Sequence, residues 1–175
     1  MELDQALRLR QSTRSFTSEP ITAAELQELL VAAQSAPLAL GDHATTQITV
    51  VQSPGTLAVI KKACEMHSAK TGAVRDPYYG APLVIFVSAT DISDDHIEYS
   101  NAACIIENII LQAAALGLGS VYIWGCLRKL RANPEALARL DLPEGYEVLS
   151  AVAVGHAAEP LAEREPTTRV AVKLV

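Results

Sequence analysis

From Ile97 to Leu116 the chain is apolar on nearly every side of the helix that its spacing predicts, with Ala102, Ile105, Ile106, Ile109, Ile110 and Leu116 too widely spread for one stripe. Such a helix has to be covered on most sides. Its polar positions, Glu98, Asn101, Asn108 and Gln112, fall at helical spacing on a narrow ridge interrupted only by Ile105, and this ridge is expected to face a partner or solvent. Asp95 with Glu98 has the form of a capping box, and Gly117 stands where a left-handed C-terminal cap belongs. The run Ser120 to Gly125, SVYIWG, then reads as a short strand ending in bare backbone, open to a planar ligand.

The remaining elements are arranged around that helix. Glu2 to Arg8 suits a short amphipathic helix through Leu3, Ala6 and Leu7. Thr22 and Glu25 form a second capping box, opening a helix that carries Leu26, Leu29, Leu30 and Ala33 and closes before Pro37. The connection from Pro37 to Thr46 starts unusually apolar for an exposed loop, so it is expected to pack against something. Gln47 to Gln52 reads as a strand, and Ser53-Pro54 as the N-cap and first turn of a helix with Leu57, Ile60 and Cys64. DPYYGAP at Asp76 to Pro82 is turn-rich, and LVIFVS after it is a fully buried type of strand. Asn133-Pro134 opens a short helix to Leu140, LPEGYE is a loop, Val148 to Gly155 is another buried strand, and the final VAVKLV is an edge or exchanged strand. Strands alternate irregularly with helices and there is no internal repeat, which places the chain in the α+β class with helices covering a sheet.

With 175 residues, half of them hydrophobic, the chain suits one core, and positions 1–175 are read as a single domain. A net charge of -6 argues against a nucleic-acid partner. No charged-then-apolar leader opens the chain, and the long helix carries Glu107 and two asparagines, so neither secretion nor membrane spanning is expected and the cytoplasm is the default. Cys64, Cys104 and Cys126 form no CxxC pair and are odd in number, which suits reduced core thiols better than disulfides or a metal site. His67 has no partner at metal spacing and reads as an exposed or capping residue.

The densest basic and hydroxyl cluster is Arg10-Gln11-Ser12-Thr13-Arg14-Ser15-Phe16. In an extended segment Arg10, Ser12 and Arg14 share a side, and two guanidinium forks around a hydroxyl can complete the oxygen shell of a phosphate. A solvated basic surface is the plainer reading of those residues taken alone. The chain has no GxSxG, HExxH, P-loop or GxGxxG after its first strand. GLGS at Gly117 to Ser120 sits at a helix C-terminus, where carbonyls are exposed, so it is a turn and not a phosphate cradle.

Taken in order, the Arg10 to Phe16 cluster, the Ala36-Pro37 loop, YYGAP before a buried strand, the long helix with its LGLGS turn, LPEGYE and the VGHAAEP end resemble the FMN-dependent nitroreductase family over nearly the whole chain. The resemblance implies a nitroreductase-like α+β fold, a central mixed sheet flanked by helices with a long buried central helix, in a homodimer with flavin at the subunit interface. It implies FMN phosphate held by Arg10 and Ser12 with Gln11 between, and Arg14 reaching the ribityl chain and pyrimidine edge. Pro37, Leu38, Ala39 and Gly41 would cross to the partner subunit's flavin, Tyr122, Ile123, Trp124 and Gly125 would back the isoalloxazine near N5, and Arg164 would close the phosphate site. No protein side chain is required as acid or base, and no metal is implied.

Where the family commonly has asparagine and then glutamine, proline and tryptophan, this chain has Gly41 and then His43, Ala44 and Thr45. The chain is also at the short end for the family, so lid insertions are not expected. The implied activity takes electrons from NADH or NADPH through flavin to a small planar acceptor, a nitroaromatic, quinone or enone, by a ping-pong mechanism. The alternative is a flavin-binding or degenerate dimer with a sensing or scaffolding role, which the altered loop would suit.

Overall fold

The computed structural model describes residues 1–41, 43–68, 70–165 and 170–175. In chain order it forms α1 (Leu3–Leu9), α2 (Ala23–Gln34), a 3-10 turn (Ala39–Gly41), β1 (Thr46–Val51), α3 (Pro54–Ala63), β2 (Met66–His67), β3 (Val74–Arg75), β4 (Leu83–Ala89), α4 (Ile97–Ala115), β5 (Gly119–Ile123), α5 (Leu127–Arg131), α6 (Pro134–Ala138) and β6 (Glu147–Gly155). β1, β4, β6 and β5 lie side by side in that order and pair antiparallel throughout. Among the described residues the parallel component of the sheet is a single bridge from Ser12 to Ser120 at the β5 edge. β2 and β3 form a separate small hairpin.

Strand β4 explains the layering. All its residues are buried, and they alternate between two cores: Leu83, Ile85, Val87 and Ala89 face α2 and α4, while Val84 and Phe86 face α3, α5 and α6. A continuous apolar run is therefore required even in an antiparallel strand, because both faces are covered. Helix α4 buries Ala102, Ile105, Ile106, Ile109, Ile110, Ala113 and Ala114 against the sheet and the neighbouring helices α1 and α2. Burying one Ile or Leu side chain is worth roughly 1.5–3 kcal/mol, so this one helix contributes a large share of the core.

The polar ridge of α4 turns inward to its own chain. Asn101 accepts the Ala39 N–H at 3.0 Å through Oδ1, and the Asn108 side-chain amide donates to the Ala32 carbonyl at 3.0 Å. The ridge thus ties the end of α2 and the following turn to α4, and the apolar start of that loop is explained in part by Leu38 packing on the core. The α4 C-terminus ends as expected, with Gly117 at φ +76 and the Leu118 N–H bonded to the Ala113 carbonyl at 2.8 Å. Its N-terminus differs. His96 is the N-cap, in the left-handed region at φ 57, and the Asp95–Glu98 reciprocal box is not made. The Ser93 hydroxyl instead lies 2.8 and 2.9 Å from the Asp95 and Glu98 carboxylates and shares its one hydrogen between them, because the chain enters the helix from a tight turn that puts Ser93 between the two. The box at Thr22 and Glu25 is complete.

The edge strand expected over VAVKLV does not form within the chain. Residues 170–175 have no strand partner here, and Val170, Val172, Leu174 and Val175 are exposed. A strand needs a hydrogen-bonding neighbour, and the tail finds none among the described residues of its own chain.

Candidate functional site

The segment after α1 is held to the β5 edge by its backbone. The Thr13 N–H donates to the Ser120 carbonyl at 2.9 Å, the Thr17 N–H to the His156 carbonyl at 2.9 Å and the Ala158 N–H to the Ser15 carbonyl at 3.0 Å. Side chains along this extended stretch alternate: Thr13 is buried, while Ser12 and Arg14 remain exposed. Thr13 lies directly over Gly119, where an added Cβ would stand 2.7 Å from the threonine methyl and 2.9 Å from its Cβ. Gly119 is therefore required for the segment to lie this close, which is a different task from the turn glycine at 117. It lets the Arg10 to Arg14 segment sit beside β5, which ends at Ile123 and is followed by Trp124 and Gly125.

Arg164 comes to the same place from the other end of the chain. Its backbone N–H donates to the Arg8 carbonyl at 3.2 Å, and its guanidinium donates to the Arg10 carbonyl. The Arg164 Nε is buried and has no hydrogen-bond partner among the described residues. Arg14 reaches the Ser12 carbonyl at 3.5 Å, the long end of a hydrogen bond. The contrast with Arg8 is informative. Arg8 pairs with Asp4 at 2.9 Å and with Glu165 at 3.8 Å, whereas among the described residues no carboxylate lies within 4.0 Å of Arg10, Arg14 or Arg164. In a chain of net charge -6 that leaves a cationic cluster with unused N–H donors, the condition that favours an anion.

Strand β5 buries Val121 and Ile123 against α3, α5 and α6, and leaves Tyr122 and Trp124 37% and 53% exposed. Trp124 meets Tyr99 edge-on at 5.8 Å, and Tyr99 meets His96 at 6.0 Å. This row of rings beside the end of β5 is not singled out by the sequence, because Tyr99 and His96 read there only as the first turn of a helix. Their signal is the left-handed His96, which turns the chain so that the rings meet.

Pro37, Leu38, Ala39 and Gly41 are not brought to the cationic cluster within one chain. Among the described residues their hydrogen bonds run to Asn101 of α4 and within the turn itself, with Gly41 donating to Leu38 at 3.1 Å. The altered part of the loop is anchored as well: the Tyr146 hydroxyl donates to the Ala44 carbonyl at 2.8 Å, and the Thr90 N–H to the Thr45 carbonyl at 3.0 Å. A cleft of about 550 Å3 lies between the α2 end, β1 and α4, bordered by Leu38, His43, Gln47 and Ile105. No group of three or more His, Cys, Asp or Glu among the described residues is placed to hold a metal, and none of their helices is long and apolar enough to cross a membrane.

Residues 7–156 match the family model described as Nitroreductase family, and the chain belongs to that family. It is 27% identical over 187 residues to the FMN reductase (NAD(P)H) of Bacillus subtilis, an alignment covering 98% of this chain and 72% of the relative. A nitroreductase from Bacteroides fragilis, solved with bound FMN, superimposes with a TM-score of 0.82 at 26% identity, covering 100% of this chain and 99% of that one. A nitroreductase from Desulfitobacterium hafniense, also with bound FMN, gives a TM-score of 0.83 at 20% identity over the full length of both and supports the fold. The α+β fold expected from the sequence, a helix-flanked sheet around a long buried helix, is the fold of these proteins.

Proposed function

We propose that this chain is an FMN-dependent oxidoreductase that takes electrons from NADH or NADPH and passes them to a small planar acceptor, working as a homodimer. The observation that carries the reading is the cluster of Arg10, Arg14 and Arg164 beside Ser12 and the start of β5, with no carboxylate among the described residues within 4.0 Å of these three guanidinium groups. FMN fits it on chemical grounds: a dianionic phosphate needs several N–H donors, and the buried, unpartnered Arg164 Nε is one such donor already in place. The names of the B. subtilis relative and the B. fragilis structure point the same way.

When bound, FMN supplies the hydride and electron transfer itself. The residues bind and orient. Arg10, Gln11, Ser12 and Arg164 would hold the phosphate end, and Arg14 would serve the ribityl chain and the pyrimidine edge, where its positive charge would favour negative charge on the ring. The end of β5 and the two residues after it, Tyr122 to Gly125, would back one ring face with main chain, so that donor and acceptor would take turns on the other. Tyr99 and Trp124 present aromatic edges at that end, suited to flat, electron-poor compounds.

The dimer is supported by what one copy leaves uncovered. Leu3 and Leu7 of α1 are 65% and 51% exposed, β1 is an open sheet edge with half-buried residues, and the alternating valines of the tail lack a sheet. A second copy's tail added along β1 would satisfy both the open edge and the tail, and in such a dimer Pro37, Leu38, Ala39 and Gly41 are the segment proposed to reach the partner subunit's flavin. Purification followed by anaerobic addition of NADH or NADPH tests the reading. A yellow protein whose absorbance bleaches with either nucleotide and returns faster with a nitroaromatic, quinone or enone than with dioxygen supports it. A colourless protein that does not take up FMN, or one reoxidised only by dioxygen, refutes it in favour of a sensing or scaffolding role.

A further inference from the structure

The cations of this chain are unevenly placed. Half of its 14 basic residues, against one of its 20 acidic ones, lie in two short stretches: positions 54–75, which hold α3 and the β2–β3 hairpin, and α5. These elements meet. The Lys129 ammonium of α5 donates to the main-chain carbonyl of Glu65, just past the end of α3, and the next residue, Met66, pairs with Arg75 in the hairpin. Lys62 stands in the last turn of α3, on the other side of Glu65.

Little opposes this charge. Asp76 pairs with Lys61 at 2.5 Å, and Arg131 donates to the Val148 carbonyl at 2.7 Å. Lys62, Lys70, Arg75 and Arg128 are exposed, and among the described residues no carboxylate lies within 4.0 Å of any of them. A cation in the last turn of a helix serves that helix's own dipole, which accounts for Lys61, Lys62 and the three of α5. A two-stranded hairpin has no such dipole, so Lys70 and Arg75 extend the charge beyond what the helices call for. Val74, next to Arg75, is 59% exposed and gives the basic surface an apolar point.

We propose that the face made by the end of α3, the β2–β3 hairpin and α5 docks an acidic protein segment, whose carboxylates meet Lys62, Lys70, Arg75 and Arg128 and one of whose apolar side chains meets Val74. An apolar contact rimmed by polar and charged groups is the ordinary anatomy of a protein interface, and opposite charge guides the encounter. Other polyanions fit this face less well. The hairpin and α5 carry no Phe, Tyr or Trp on which bases could stack. The residues outside the two stretches are together more negative than the chain's total of -6, so a long nucleic acid would run from the patch onto repelling surface. An anionic bilayer needs an exposed apolar helix face, whereas α5 turns Leu127 and Leu130 into the core. The elements on which the dimer reading rests, α1, β1 and the tail, supply none of these cations.

The experiment uses the full chain, with and without added FMN, and as probe a short rhodamine-labelled peptide of glutamates around one leucine, followed by anisotropy. Saturable binding at low salt that weakens steeply at physiological salt is expected. Lys62→Glu combined with Arg128→Glu should weaken it about tenfold or more, with the far-UV circular dichroism unchanged. Val74→Ser should weaken the leucine peptide about threefold and leave an all-glutamate peptide unaffected. No saturable binding, equal binding by the double variant, or a Val74→Ser effect that is absent or the same for both peptides would each overturn the proposal. An oligothymidylate of equal charge, or phosphatidylglycerol vesicles, bound more tightly than the leucine peptide would overturn it in favour of a nucleic acid or a membrane. None of these readouts depends on flavin uptake or reduction, so the proposal stands or falls apart from the flavin reading.

Discussion

The guanidinium of Arg164 donates to the carbonyl oxygen of Arg10, joining the far end of the chain to the first basic residue of the candidate phosphate site across 154 positions. That bond directs the Arg164 fork to the place where Arg10 and Arg14 already lack carboxylate partners.

The two arginines should therefore matter together. Each charge-assisted contact to phosphate is worth about 1.5–3 kcal/mol, so Arg10→Ala should weaken FMN roughly tenfold or more, and Arg164→Ala comparably. Titration of flavin fluorescence at two salt concentrations measures both, with the loss greater at low salt. Unchanged flavin retention by Arg10→Ala would remove the phosphate assignment.

Gly119→Ala probes the close approach of the N-terminal segment. The new methyl would stand within 2.9 Å of three Thr13 side-chain atoms, including its Cβ, which cannot swing away without moving the backbone. A loss of about 1–3 kcal/mol in stability is expected, together with weaker FMN binding, because Ser12 and Arg14 move with Thr13. Thermal melts with and without FMN separate the two effects. Wild-type behaviour in both would show that the segment is not seated as described.

Dimerisation is checked by sedimentation. An interface burying roughly several thousand Å2 should keep the chain dimeric at micromolar concentration. Removing residues 170–175 should shift it measurably towards monomer, as those exposed apolar side chains lose their cover on a second copy. A stable, flavin-loaded monomer of the full chain would count decisively against the arrangement.

Initial rates carry the geometry of the β5 end into kinetics. On the proposed reading Tyr122 to Gly125 would back one ring face and donor and acceptor would compete for the other, so double-reciprocal plots at several acceptor concentrations should be parallel. Intersecting lines would mean that both are bound at once.

The α2 capping box gives a pH signature. Hydrogen bonds from the Thr22 backbone N–H and then its hydroxyl hold the Glu25 carboxyl below the ordinary carboxylate value. A depressed folded value means stabilisation present above the unfolded value, about 4.3, and lost as pH falls through the lower folded one. A cap of this kind is worth about 1 kcal/mol. Glu25→Gln should therefore lower the melting temperature by about 2–4 °C near neutrality, and by progressively less below pH 4. An unvarying difference from pH 7 to pH 3 would remove the charge from the account.

Much of the fold is legible in the sequence because its causes are local. The caps at Thr22 and Ser53, the buried run Leu83 to Ala89 and the glycine that ends α4 are each set by a few neighbouring residues, and they occur where the spacing predicts. The order of weak motifs suffices for the family, since their spacing reflects the order of elements in the fold. Helix α5 and the β2–β3 hairpin escape such reading because five residues, or two per strand, show no periodicity. What only the tertiary structure decides are the meetings between distant side chains: Asn101 and Asn108 turned to their own α2 and its following turn, Arg164 on Arg10, Thr13 over Gly119, and Tyr78 on Cys64. Backbone preference and hydrophobic period act over one or two turns, so they can set an element and its buried face. Which polar atom then finds which depends on how whole layers pack, and that information is spread over the entire chain.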